Sequence, residues 1–277
     1  MDTVKLVHVK DFYWAKRPGP GRRFDSGVFA NVIPYKDYYL GVTRYGAADQ
    51  GDIVEAIKLD HDLNIISTAN AVKGEDPRTF LYKGEPHGIT WDPHNSVTTG
   101  SWIFHYKIIN LVTGKVTTLS IDKVPDPKVE ILGKNWIPLV KDNELYFIIA
   151  IDPELSILKC NLEKSTCKWV TPFTEDLDIT ISRGGTSLIY NKEKDIYFGL
   201  GHRTHDCHNH SAFLYTVTPD LKKAYVGPDL ETSRDSGVAD PLSIYQTGNQ
   251  YFTCIAHSPI QLGDTTEVTS ALYEIIL

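Results

Sequence analysis

One pattern, repeated five times, constrains this chain more than any other feature. Each copy has a polar start, an apolar strand, a polar turn and a second apolar strand. The copies begin at Asn31 (NVIPYKDYYLGVTRY), Asp76 (DPRTFLYKGEPHGITW), Lys134 (KNWIPLVKDNELYFIIA), Arg183 (RGGTSLIYNKEKDIYFGLG) and Asp240 (DPLSIYQTGNQYFTCIAH). Their turns fall near Asp37, Gly84, Asp142, Lys192 and Gly248, on residue types that favour hairpin turns. A spacing of roughly 45–60 residues suits a four-stranded propeller blade. Further hairpins are expected at Thr113-Gly114, from Glu163 to Ser165, and at Pro219-Asp220, as the outer strands of their blades. VKLVHV opens the chain and ALYEIIL closes it. Two terminal strands in one blade would close the ring and protect its edges. The pattern predicts an all-β fold: one five-bladed β-propeller over residues 1–277, closed by the N- and C-terminal strands, with no helix of three turns or more.

Composition supports this. Fifteen Tyr, ten Phe and five Trp, with many Val, Ile and Thr, favour strands. A net charge of −7 argues against a nucleic-acid partner. No apolar run approaches the length of a membrane span, and the first residues do not read as a signal peptide. The four cysteines, Cys160, Cys167, Cys207 and Cys254, form no CxxC pair. Cys160 and Cys167 are placed to face each other across a hairpin. Free thiols in a reducing, cytoplasmic compartment are nevertheless the expectation.

In a propeller the five polar starts converge at one mouth of the axial channel. Glu75-Asp76-Pro77-Arg78 supplies the first cluster. Pro77 biases Asp76 toward an extended conformation, and a fixed carboxylate beside the axis suits a general base. Arg78 either binds an anion or pairs with Glu75. Lys134 and Asn135 offer a point charge and an amide, with Trp136 beside them as core. Arg183-Gly184-Gly185-Thr186 would let a ligand approach the backbone closely. Four histidines crowd His202-Arg203-Thr204-His205-Asp206-Cys207-His208-Asn209-His210. The segment lacks zinc-type cysteine spacing, and Arg203 within it opposes a cation, so an anion site is expected and no metal or other cofactor. Asp176 and Asp178 form only a bare DxD. Asp240 would assist Asp76 or orient an acceptor.

The order EDPR, KNW, RGGT and GHRTH at this spacing resembles the glycan-active five-bladed propellers. That group includes β-mannoside phosphorylases and hydrolases and related glycosyltransferases. The segment GHRTHDCHNHSAFLYT is similar to chlorovirus-type N-glycan β-xylosyltransferases. The resemblance implies an inverting, metal-independent glycosyltransferase of viral type in the host cytoplasm. Its partners would be a nucleotide sugar such as UDP-xylose and a glycan or glycoprotein acceptor. Asp76 would be its general base. Lys134, Arg183, His202, Arg203 and His208 would hold the donor phosphates, with Glu75, Arg78, Asn135 and Asp240 in support. The first alternative is a phosphorylase or hydrolase acting on β-mannosides with Asp76 as general acid. The second is a propeller that binds glycans or a protein without turnover.

Overall fold

The computed structural model describes residues 4–16, 27–47, 51–95, 102–121, 134–151, 154–171, 182–206, 209–232, 237–258 and 267–277. These form strands joined by turns, and no helix occurs among them. None therefore offers a helix long and apolar enough to cross a membrane.

Five antiparallel blades follow one another along the chain, each with its first strand innermost. Blade 1 is β2 (Val28–Tyr35), β3 (Tyr38–Ala47), β4 (Gly51–Leu59) and β5 (Ile65–Lys73). Blade 2 is β6 (Glu75–Tyr82), β7 (Glu85–Asn95), β8 (Trp102–Asn110) and β9 (Val116–Ile121). Blade 3 is β10 (Ile137–Lys141), β11 (Glu144–Ala150), β12 (Ser156–Asn161) and β13 (Thr166–Trp169). In blade 4 the inner strand is interrupted, as β14 (Ser182–Arg183) and β15 (Ile189–Asn191). Both pieces pair with β16 (Ile196–Asp206), followed by β17 (Asn209–Val217) and β18 (Ala224–Asp229). Blade 5 is β19 (Val238–Thr247), β20 (Gln250–Ser258) and β21 (Glu267–Ile276). Its outermost strand is β1 (Lys5–Lys16), paired from Lys5↔Ile276 to Lys16↔Glu267. The chain's first strand thus completes the last blade, and the fold is an all-β five-bladed propeller.

The cores lie between blades, because each sheet is apolar on both faces and must bury both. Leu40, Val42, Ile109 and Leu111 fill the junction of blades 1 and 2. Phe80, Tyr106, Trp136 and Phe147 fill that of blades 2 and 3, where Trp136 stacks on Tyr106 with centroids 3.6 Å apart. Ile137, Ile148, Phe213 and Tyr215 join blades 3 and 4, and Phe198, Leu200, Leu214 and Ile244 join blades 4 and 5. Val32, Ile57, Tyr245 and Leu272 close the ring between blades 5 and 1. Trp136 is core, as its sequence context suggests.

One expectation fails here. Cys160 and Cys167 face each other in the β12–β13 register and are joined as a disulfide. The hairpin sets the two sulfurs opposite each other as its spacing predicts, and neither thiol is free. The reducing-compartment argument for a cytoplasmic location therefore loses its support. Cys254 is buried and free.

Candidate functional site

The inner strands neighbour one another in turn around the axis, β19 with β2, β2 with β6, β6 with β10 and β15 with β19, and Leu139 of β10 bridges Leu188 just before β15. Their starts converge at one mouth, and that mouth is where the backbone departs from regular pleating. Phe29, Asp76 and Asn135, at the starts of blades 1, 2 and 3, all have positive φ, of 55°, 44° and 71°. Pairing slips between Val28 and Asn31, between Glu75 and Arg78, and between Pro241 and Ser243. Such bulges re-aim side chains, and strain of this kind collects at working sites.

Asp76 is the clearest instance. Its expected extended conformation is corrected to a left-handed one. Between Glu75↔Trp91 and Arg78↔Ile89 the strand carries an extra residue, and the bulge outweighs the bias from Pro77. An Asp tolerates positive φ better than most residues. The turn delivers its carboxylate to two cations: Arg44 Nη1 donates to Oδ1, and Lys134 Nζ lies 2.7 Å from Oδ2. Arg44 also bonds Asp52 and lies 3.7 Å from Glu75. Lys134 lies 3.8 Å from Glu75. Two cations therefore grip two adjacent carboxylates.

Their surroundings drive the two carboxylates apart. Burial by itself would raise Asp76, but Arg44, Lys134 and Arg78 overcome it and hold the carboxyl well below the usual range. Burial raises Glu75, with Asp76 adding to the rise, and the more distant cations do not offset it. Asp76, so paired, favours the ionised form. Glu75 is the member that can carry a proton.

Arg78 crosses the axis. It is buried and donates from Nη2 to Asn135 Oδ1 at 2.8 Å and from Nη1 to the carbonyls of Asp76 and Pro77. Its Nε is buried without a hydrogen-bond partner among the described residues. Burial lowers its pKa, while Asp76 on one side and Asp240 on the other favour its charge. Among the described residues Arg78 is therefore held by Asp76 and Asp240 and not paired with Glu75. It links the two halves of the mouth.

The second half comes from blades 4 and 5. His202 and Asp240 are buried, and their Nδ1 and Oδ1 atoms are 3.9 Å apart. His210 Nδ1 lies 2.9 Å from the same Oδ1, and the two imidazoles stack at 5.2 Å. Burial pushes His202 down to about 4, with Asp240 opposing and Arg78 adding to the drop. Asp240 is held low despite its burial, by His202 and His210 beside it. Arg183 sits opposite His202 in the β14–β16 pairing, close enough to disfavour a proton there.

The structure thus brings together Glu75, Asp76, Arg78, Lys134, Asn135, Arg183, His202 and Asp240. It separates Arg203, which bonds Asp229 and the Gly227 carbonyl on its own blade's outer strand side. Adjacent strand residues point to opposite faces, so His202 and Arg203 cannot both face the axis. His205 joins Ser211 and Asp229 beside Arg203. His208, Asp176 and Asp178 lie outside the described residues. Asn31 does not reach the mouth as a ligand group. Its amide donates to the Pro77 carbonyl and accepts from Thr79 Oγ1, tying blade 1 to blade 2. Gly184 and Gly185 serve blade contact instead of a ligand, since a Cβ on them would strike the Asn135 and Leu200 carbonyls.

Sequence reading missed Arg44 and Asp52. The signal was present: Leu40, Val42 and Arg44 alternate on a buried strand, and a buried Arg requires acidic partners.

No protein-family model matches the chain, and no curated protein matches its sequence. Solved structures do match its fold. The xylan β-1,4-xylosidase of Bacillus halodurans is 12% identical with a TM-score of 0.58, covering 92% of this chain and 54% of that one. The exo-β-1,3-galactanase of Phanerochaete chrysosporium is 10% identical at 0.59, covering 97% and 64%. The catalytic domain of a Coprinopsis cinerea GH62 α-L-arabinofuranosidase is 9% identical at 0.63, covering 96% of each. The chain spans about half the length of the first of these. The likeness shows the fold, an all-β five-bladed propeller. It also overturns the glycosyltransferase expectation and its nucleotide-sugar donor: the neighbours are named as enzymes that cleave glycosides.

Proposed function

We propose that this propeller cleaves glycosidic bonds in a glycan bound at the axial mouth. The observation that carries this reading is the Glu75–Asp76 pair, two neighbouring carboxylates whose surroundings push their protonation in opposite directions. Such pairs mark the acid and the ionised partner in carboxylate-based glycoside chemistry. Glu75 protonates the departing oxygen. Asp76 stays ionised, faces the positive charge that develops at the anomeric carbon, and receives the proton of an attacking water.

Lys134 is the movable part. Arg44 is buried and shared with Asp52, with a side chain 7% exposed, whereas that of Lys134 is 33% exposed. A sugar hydroxyl displaces Lys134 from Asp76 Oδ2 more easily than it displaces Arg44, and Asp76 regains basicity as the lysine leaves. Phosphorolysis is a second reading, favoured by one observation: Lys134, one-third exposed beside Asp76, is a cation placed to hold an attacking phosphate.

Aryl β-xylosides, α-L-arabinofuranosides, β-galactosides and β-mannosides, each with and without inorganic phosphate, test both readings. Free sugar identifies hydrolysis and sugar phosphate identifies phosphorolysis. Glu75→Gln and Asp76→Asn should each slow release about 10²–10⁴-fold in folded protein. Full activity in either variant contradicts the assignment, as does the absence of release from every glycoside.

A further inference from the structure

We propose that His202, His210 and Asp240 form a binding site for a borderline transition dication, with Zn²⁺ as the probe. One ligand atom from each residue lies within 4.8 Å of the other two. Two imidazoles and one carboxylate make an N₂O set, which suits zinc and its first-row neighbours better than the oxygen-seeking Ca²⁺ or Mg²⁺.

The geometry supports a bound ion. Ligand atoms around a tetrahedral zinc stand roughly 3.4 Å apart. The observed Nδ1–Oδ1 separations, 2.9 Å for His210 and 3.9 Å for His202, straddle that value. The ligand atoms of His202 and His210 lie within 4.8 Å of each other, so the two rings would adjust about the carboxylate to close the set. A second observation concerns hydrogen bonding and not spacing. His202 Nδ1 is buried and makes no hydrogen bond among the described residues, although it lies 3.9 Å from Asp240 Oδ1. A buried imidazole nitrogen normally finds a partner, and a metal ion would supply one.

The objection raised by the sequence does not hold in space. Arg203, which interrupts the histidine run, turns away to Asp229. Arg78 does face Asp240, but Asp76 opposes its charge from the other side. The three ligands come from β16, β17 and β19, so the ion would tie blade 4 to blade 5. Three protein ligands leave a coordination position open for water or a sugar hydroxyl. The proposal does not depend on the glycoside-cleaving reading.

The test uses the full chain, stripped with chelator and reloaded with Zn²⁺, then passed through a desalting column. The expected result is one zinc retained per chain by mass spectrometry, a raised melting temperature, and a visible d–d band when Co²⁺ replaces zinc. His210→Ala and Asp240→Asn should each weaken binding by about a hundred-fold or more. His210 is only half-buried, so its variant should fold even where a His202 variant does not. No zinc retained by the native chain, or equal retention by both variants, overturns the proposal.

Discussion

The two ends of the propeller axis are built from the same five inner strands and differ in nearly every other respect. At the mouth the strands begin with bulges, positive φ angles and buried charge. At the opposite end they are regular and surround a cavity of about 280 Å³. Ile33, Phe80, Leu188 and Ile244 are among its lining residues, and all are buried hydrophobics. Strand regularity and apolar packing stabilise the ring. The mouth departs from both, and its buried ions persist only because they are paired. The difference separates residues that hold the fold from residues available for chemistry.

The sharpest way to break this contrast is Arg44→Met. It takes the shared guanidinium from Asp52 and Asp76, leaving Asp76 to Lys134 and Arg78, and should cost about 3–5 kcal/mol in denaturant unfolding. Adding Asp76→Asn should recover part of that loss, because the two changes share one network. A neutral outcome for Arg44→Met alone would mean that water, and not protein, surrounds the cluster.

Acid should weaken the mouth next. His202 titrates at about 4 in the fold, because burial disfavours its charge. In the unfolded chain it titrates near 6.5. As pH falls below about 6.5 the unfolded state takes up a proton that the folded state refuses until about 4. Stability is therefore full above that window and falls within it, by up to about 3 kcal/mol for this group. Unfolding of chelator-treated protein between pH 7 and 4 measures the loss. His202→Phe should flatten the slope.

The smallest effect belongs to the other end. Ile33→Val removes one methylene from the apolar rim and should cost about 0.5–1.5 kcal/mol. It should leave glycoside release unchanged, as the residue is far from the carboxylates. A loss of activity there would show that the two ends are coupled.

Much of the frame was legible in the residues. All five inner hairpins and their turns were readable, because alternation and turn chemistry are local signals. The closure of β1 onto β21 followed from one unpaired strand at each end. The mouth was legible in outline, since Glu75, Asp76, Arg78, Lys134, Asn135, Arg183, His202 and Asp240 do converge. What failed depended on register. The bulge at Asp76 is set by how β6 pairs with β7, and Arg203 faces outward because His202 takes the inward place. The reaction class failed for another reason: carboxylates and cations gathered at one mouth suit transfer and cleavage alike, so residue types could not separate the two.

The central claim is that Glu75 and Asp76 stand side by side with their acidities pushed in opposite directions. Carboxyl-carbon NMR of protein labelled at Glu and Asp follows both groups directly during an acid titration. The account predicts that Glu75 titrates above the ordinary glutamate value of about 4.3, while Asp76 shows no titration before the protein unfolds. Two ordinary titrations, near 4.3 for Glu75 and near 3.9 for Asp76, would contradict it.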